Sequence, residues 1–193
     1  IVVPDGALGA VPFDALTVAG TMLGDSVAVS VLPTAALLVA SSPAATGPPR
    51  WRAPWSPQLA AFGDPLPAAD PWASAASQER LAASAREVEA VSSELGGSHR
   101  LFLGADNQKR ALVEVLATPP AVLHLATHGV ADQVAGEASR LLFSPPSPGA
   151  PPAALFLREI YALTLTGVDL VVLSACETER GPEVRGEGVQ GFS

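Results

Sequence analysis

The chain has 193 residues, enough for one domain that buries about 70% of its unfolded surface and too few for two comfortable ones. Hydrophobic residues make up 48%, charged residues 16% and aromatics 5%, which excludes a charge-rich disordered chain and predicts an aliphatic core of Ala, Val and Leu. With 11 Lys and Arg against 19 Asp and Glu the net charge is −8, and no basic run exceeds the pair Lys109-Arg110, which argues against nucleic acid and against an anionic membrane as partners.

Ile1-Val2-Val3-Pro4 before Asp5-Gly6 reads as a strand closed by a turn, 11–16 as a short packed connector, and Val27 to Val31 as a further strand. Pro33 suits a first helical turn ahead of the apolar stretch 34–40. Prolines at 43, 48, 49, 54 and 57 mark 41–57 as an exposed loop within the domain, and Trp51, Trp55 and Trp72 are expected to pin such loops to the core. Gln58 to Phe62 predicts a short strand ending in Gly63-Asp64-Pro65. Leu81, Ala85, Val88, Val91 and Leu95 recur at helical steps, with Arg86 and Glu89 facing away and Gly96-Gly97 as a stop.

His99 to Leu103 predicts a strand, and Asp106 is the expected cap of a helix that carries Leu112, Val115 and Leu116 and ends at Pro119-Pro120. The run Ala121 to Thr127 is apolar enough for a strand buried on both faces, and it ends at His128-Gly129. A polar loop and a Pro-rich loop over 145–152 follow. Leu157 to Leu163 predicts a short helix and Val168 to Ala175 a second buried strand, ending at Cys176. Strands alternating with helices define the fold class as α/β, an open and mostly parallel sheet with helices on both faces, in a single domain over 1–193.

Ligands of such sheets bind beyond the carboxyl ends of the strands, which is where His128 and Cys176 fall. A lone cysteine forbids an internal disulfide and a cysteine-cage zinc site, fits a reducing cytoplasm, and is most commonly just a small buried hydrophobe. Its neighbours argue for more. A thiol is mostly protonated at neutral pH, so a nucleophilic Cys176 needs an imidazole, and His128 can supply it. The spacing of 48 residues is close to the roughly 50 by which a caspase histidine precedes its cysteine. The backbone N–H groups of Gly129 and Cys176 are the candidate oxyanion donors, and the set fits acyl transfer.

His124-Leu125-Ala126-Thr127-His128-Gly129, then Leu173-Ser174-Ala175-Cys176-Glu177-Thr178, then Gly186-Glu187-Gly188 resemble the CHAT domain, a caspase-like cysteine peptidase family related to separase. Val3-Pro4-Asp5-Gly6 with Pro12-Phe13, and Phe62-Gly63-Asp64-Pro65, match as well, so the resemblance runs through nearly the whole chain. It implies a caspase-like fold in which His128 is the general base or imidazolium partner and Cys176 the nucleophile that hydrolyses a protein or peptide substrate, with no cofactor and no metal. Glu179 or Arg180 stands where the family commonly has Gly. The family also continues past Gly186-Glu187-Gly188 with a helix and strands, which implies a chain incomplete at its C-terminal end, weakly active or inactive alone, and regulated by other domains of a longer parent. Ile1 without an initiator Met or a basic leader points the same way, to a soluble cytoplasmic piece. A catalytically silent interaction or scaffold module of the same family is the alternative.

His124 and His128 are four apart, as in H-E-x-x-H, but that motif needs a helix and a Glu at the second position, where Leu125 stands. His124 is therefore expected to be a satisfied core histidine. Glu177, Glu179, Glu183 and Glu187, with Arg180 and Arg185 between them, read as a solvated loop.

Overall fold

A computed structural model describes residues 1–4, 8–9, 11–32, 58–67, 79–132, 134–175, 183–184 and 188–189. The helix expected over 34–40, the loop 41–57 and the three tryptophans lie outside these residues. At the N-terminus Val2 bridges Val31 in parallel, and a 3-10 turn, Phe13–Ala15, precedes the hairpin of β1 (Thr17–Val18) and β2 (Thr21–Met22). Ala19 and Gly20 turn this hairpin with φ of 50° and 85°, the left-handed pair that matches the strands' own twist. A one-turn helix, α1 (Leu23–Ser26), follows. None of the described residues in this part is buried, so the connector 11–16 is not packed as expected: strands two residues long offer no face wide enough to bury it.

The remaining elements are β3 (Gln58–Pro65), α2 (Ala82–Leu95), β4 (Ser98–Gly104), α3 (Lys109–Ala117), β5 (Val122–Ala126), β6 (His128–Val130), β7 (Arg140–Phe143), β8 (Ala153–Phe156), α4 (Leu157–Ile160), β9 (Leu170–Ser174), β10 (Glu183–Val184) and β11 (Gly188–Val189). Four of the strands form a parallel sheet in the order β4-β3-β5-β9. The chain moves outward from β3 to β4 through α2, then returns past β3 to β5 through α3. Crossovers keep one hand, so reversing direction puts the two helices on opposite faces. Under α2, Val88 meets Leu59, Ala61, Val122 and Ala126; under α3, Leu112 and Val115 meet Ala60, Phe62, Leu123 and Leu125. Phe62 stacks on Phe102 with centroids 4.5 Å apart and meets Phe143 edge-on at 6.0 Å. The mixed α/β architecture with helices on both faces is the one the alternation of elements predicts.

Four particulars differ from expectation. The strand β3 runs on through Gly63-Asp64-Pro65 rather than ending before it. Helix α3 starts at Lys109 with Gln108 as N-cap and no side-chain cap, because Asp106 is used in the preceding turn, its N–H on the Leu103 carbonyl. The segment 128–156, read as polar and Pro-rich loops, contains a three-stranded antiparallel sheet in the order β6-β7-β8, whose Leu141, Phe143 and Leu155 complete the α3-side core. Finally, β9 is an edge strand and not a buried one: Leu170 is 52% exposed and Val171 43%. The eight-residue run Val168 to Ala175 is as apolar as a central strand, but among the described residues no strand flanks it on its outer side.

Candidate active site

The strand order reverses beside β3, so the switch point of the sheet is the crevice beyond the carboxyl ends of β3 and β5. There β5 and β9 end level, with Ala126 opposite Ser174, while β3, in register with Phe62 opposite Leu125, runs on to Pro65. At Thr127 the chain leaves the parallel sheet, held by the Thr127 hydroxyl donating to the Leu142 carbonyl, and His128 opens β6. His128 is thereby placed on the seam between the two sheets.

The His128 side chain is 8% exposed, and its Nε2 lies 2.6 Å from the backbone carbonyl of Glu79. A carbonyl oxygen can only accept, so Nε2 carries the proton and donates it. Nδ1 is then the one ring atom of neutral His128 able to accept a proton, which is what a general base requires. Gly129 follows in β6, in register with Leu141 of β7. Cys176 lies outside the described residues, as do Glu177, Glu179, Arg180, Arg185 and Glu187. The last residue of β9 pairs with the last of β5, so His128 and Cys176 each stand two residues past the matched pair Ala126 and Ser174.

The carbonyl that holds His128 belongs to the segment entering α2, and that segment is bound to the end of β3. Arg80 grips the Asp64 carboxylate with Nε at 2.9 and 3.1 Å and Nη2 at 2.7 Å. The Asp64 N–H donates to Ser84 Oγ at 2.7 Å, and the Ser84 hydroxyl donates to the Leu81 carbonyl at 2.8 Å. The hydrogen bonds it donates to Asp64, and then the charge of Asp64, hold the Arg80 guanidinium above its usual range. Beside this, the buried Asn107 donates from Nδ2 to the Gly63 carbonyl at 2.9 Å and accepts the Ser144 N–H on its own carbonyl, while the Ser144 hydroxyl donates to the Gly104 carbonyl. The ends of β3, β4 and β7 are thus tied together under the crevice.

His124 sits deeper, 1% exposed, with Nε2 3.0 Å from Glu87 Oε1 of α2 and Nδ1 without a partner among the described residues. It is a core histidine, as expected, but a half-satisfied one, since only Nε2 has a partner among the described residues, and its nitrogens are not shared with His128. Among the described residues no group of three His, Cys, Asp or Glu side chains could hold a metal ion. Sequence reasoning missed Glu87, although a signal existed: it lies three residues after Ser84 and four before Val91, on the inner flank of an otherwise apolar helix stripe, where a carboxylate implies a buried partner. The Glu79 carbonyl and the Asp64–Arg80 pair carried no such signal, since a backbone acceptor has no residue type and the ion pair spans 16 positions.

Among the described residues no helix is long and apolar enough to cross a membrane. A family model described as CHAT domain matches residues 1–193. No curated protein matches the chain.

Proposed function

The chain belongs to the CHAT domain family, and on that premise we propose that it is a cysteine endopeptidase domain whose dyad is His128 and Cys176. The observation that carries this reading is the bond from His128 Nε2 to the Glu79 carbonyl, which leaves Nδ1 as the basic atom at the carboxyl edge of the sheet. In the reaction, Nδ1 takes the thiol proton and the Cys176 thiolate attacks the scissile carbonyl carbon. The N–H groups of Gly129 and Cys176 receive the oxyanion. The imidazolium then protonates the leaving amine, the peptide C–N bond breaks, and water, deprotonated by Nδ1, releases the acyl group from sulfur. Throughout, the Nε2–H keeps its proton, donates to the Glu79 carbonyl and keeps the ring from turning. The substrate is a protein or peptide, no cofactor takes part, and other domains of a longer cytoplasmic parent regulate access to the dyad.

The test is labelling with a peptidyl acyloxymethyl ketone, which alkylates an activated thiolate, together with turnover of a pooled peptide library. Cys176→Ala is expected to abolish both. His128→Ala is expected to slow both by about 10²–10⁴-fold, the contribution of a general base. Labelling of equal rate in His128→Ala, or an unreactive Cys176 in the longer parent, would overturn the dyad and leave the silent scaffold module.

A further inference from the structure

We propose that the Asp64–Arg80 ion pair is the positioning device that holds the Glu79 carbonyl on His128 and so decides which ring nitrogen of His128 carries the proton. The inference rests on His128 being the base of the proposed dyad. The Glu79 carbonyl and the Arg80 N–H belong to one planar peptide unit, so whatever restrains the Arg80 backbone restrains that carbonyl. Arg80 offers a planar fork, and the three contacts of 2.7 to 3.1 Å to Asp64 use it in two directions.

The two ends of the pair differ in a way that suits this role. The Arg80 side chain is 61% exposed and would otherwise be free in water, whereas that of Asp64 is 6% exposed and built into the end of β3. An exposed guanidinium adds little to stability by pairing. What the pair supplies is location. His128 is carried by the β5–β6 turn and Glu79 by the entry to α2. These two elements meet at the end of β3, the strand that leads into α2 and pairs with β5, which is where Asp64 stands. Asp64 adopts φ 48°, a left-handed conformation that turns the chain as β3 ends, and its N–H anchors Ser84 one turn into α2. One residue therefore ties the chain at Arg80 and again at Ser84, on the C-terminal side of the Glu79 peptide. With the tie released, the carbonyl can move off Nε2, and His128 is free to put its proton on Nδ1, where it can no longer accept one from a thiol.

The experiment reads the imidazole nitrogens directly, by long-range 1H–15N correlation on the 15N-labelled chain, which has only His99, His124 and His128 to resolve. His128 is assigned by its loss in His128→Gln. Wild-type His128 is expected in a single neutral form protonated at Nε2. In Asp64→Asn, which keeps the left-handed backbone and the side-chain shape, His128 is expected to populate both neutral forms while the His124 signals stay in place. Library turnover should fall about ten- to a hundredfold in kcat with KM nearly unchanged. A His128 that keeps the Nε2–H form alone in Asp64→Asn overturns the proposal. Should Asp64→Asn not fold, Arg80→Gln, at an exposed side chain, is judged by the same two signals. Turnover and labelling are read in the longer parent, and the two ideas fail separately: a tautomer change with no turnover or probe labelling there sinks the peptidase reading only, and an active enzyme with an unmoved His128 sinks the positioning role only.

Discussion

Helix α2 passes tightly over Gly63, and Gly63→Ala shows what that approach is worth. A methyl on Gly63 would lie 3.0 Å from the Ser84 carbonyl oxygen, 3.0 Å from Val88 Cγ2 and 3.1 Å from Leu103 Cδ2. Carbon contacts are optimal at about 3.5–4.0 Å, so the neighbours must retreat by about half an ångström. The Ser84 carbonyl is helix backbone and cannot swing aside, and Val88 is fully buried, so the retreat is a displacement of α2 itself. Overpacking of this kind costs about 1–3 kcal/mol, and the stiffer unfolded chain of Ala returns about 0.4–1, leaving a net loss of about 1–2 kcal/mol. Urea unfolding followed by circular dichroism should show a lower midpoint at unchanged slope. Adding Val88→Ala removes one of the three obstacles, so the double variant should be less destabilised than the sum of the singles by about 0.5 kcal/mol or more. Because α2 carries Ser84, and Ser84 accepts from Asp64, the shift should also reach His128 and broaden its ring nitrogen signals. A midpoint equal to or above wild type for Gly63→Ala would refute the tight contact from which all of this is worked.

Two further predictions separate the edges from the core. Leu123→Ala should cost about 2–5 kcal/mol, whereas Val171→Thr, its exposed partner in register on β9, should stay within about 0.5 kcal/mol, both by urea unfolding; equal losses would mean that β9 is covered in solution. At the other end of the core, the Lys109 ammonium, and then the Phe156 N–H, hold the Glu159 carboxyl below its ordinary value of 4.5. A depressed carboxyl stabilises the fold above its unfolded pKa, and that contribution is lost as pH falls through the lower folded value. Lys109→Met should therefore cost about 0.5–1 kcal/mol more near pH 7 than near pH 3, a difference kept small by the part-exposed pair, while the loss of the ammonium's bond to the Ala154 carbonyl at 2.7 Å is common to both. An unfolding midpoint lowered equally at both pH values would show that the ammonium acts through packing and not through charge.

The helix α2 and the strands β3, β4 and β5 were legible because each buries a face whose period is the signature of its geometry: Val88, Val91 and Leu95 at helical steps, and Val122 to Ala126 as an unbroken apolar run. The same logic misled at β9, since apolarity records the surface a strand is suited to bury and not which of its neighbours is there. It missed β6, β7 and β8 because strands of three or four residues complete too few alternations, and because the Pro-rich link 145–152 between β7 and β8 resembles a free loop. At the site, His128 and Gly129 stood out as reactive or permissive residue types at a strand end. Their support did not, because it is made of a main-chain oxygen, an ion pair and a hydroxyl drawn from three separate stretches of chain.

The residues that depart from ordinary strand chemistry gather at one end of the sheet. Gly63 has no room for a side chain, Asp64 is a non-glycine residue at φ 48°, Thr127 spends its hydroxyl on redirecting the chain, and His128 is a buried imidazole held by a backbone carbonyl. The opposite ends, at Gln58, Ser98 and Val122, begin in plain register, and among the described residues no non-glycine residue there has a positive φ. A left-handed Asp costs free energy that Gly would spare, and it persists only where the surroundings need that side chain. Here the need is visible, since Gly at 64 would relieve the backbone and release Arg80 in the same step. The strand order reverses between β3 and β5, α2 and α3 lie on opposite faces, and the four residues stand at the carboxyl ends of those two strands. Stability alone would not place four such features side by side. A site that must hold one imidazole in one orientation would.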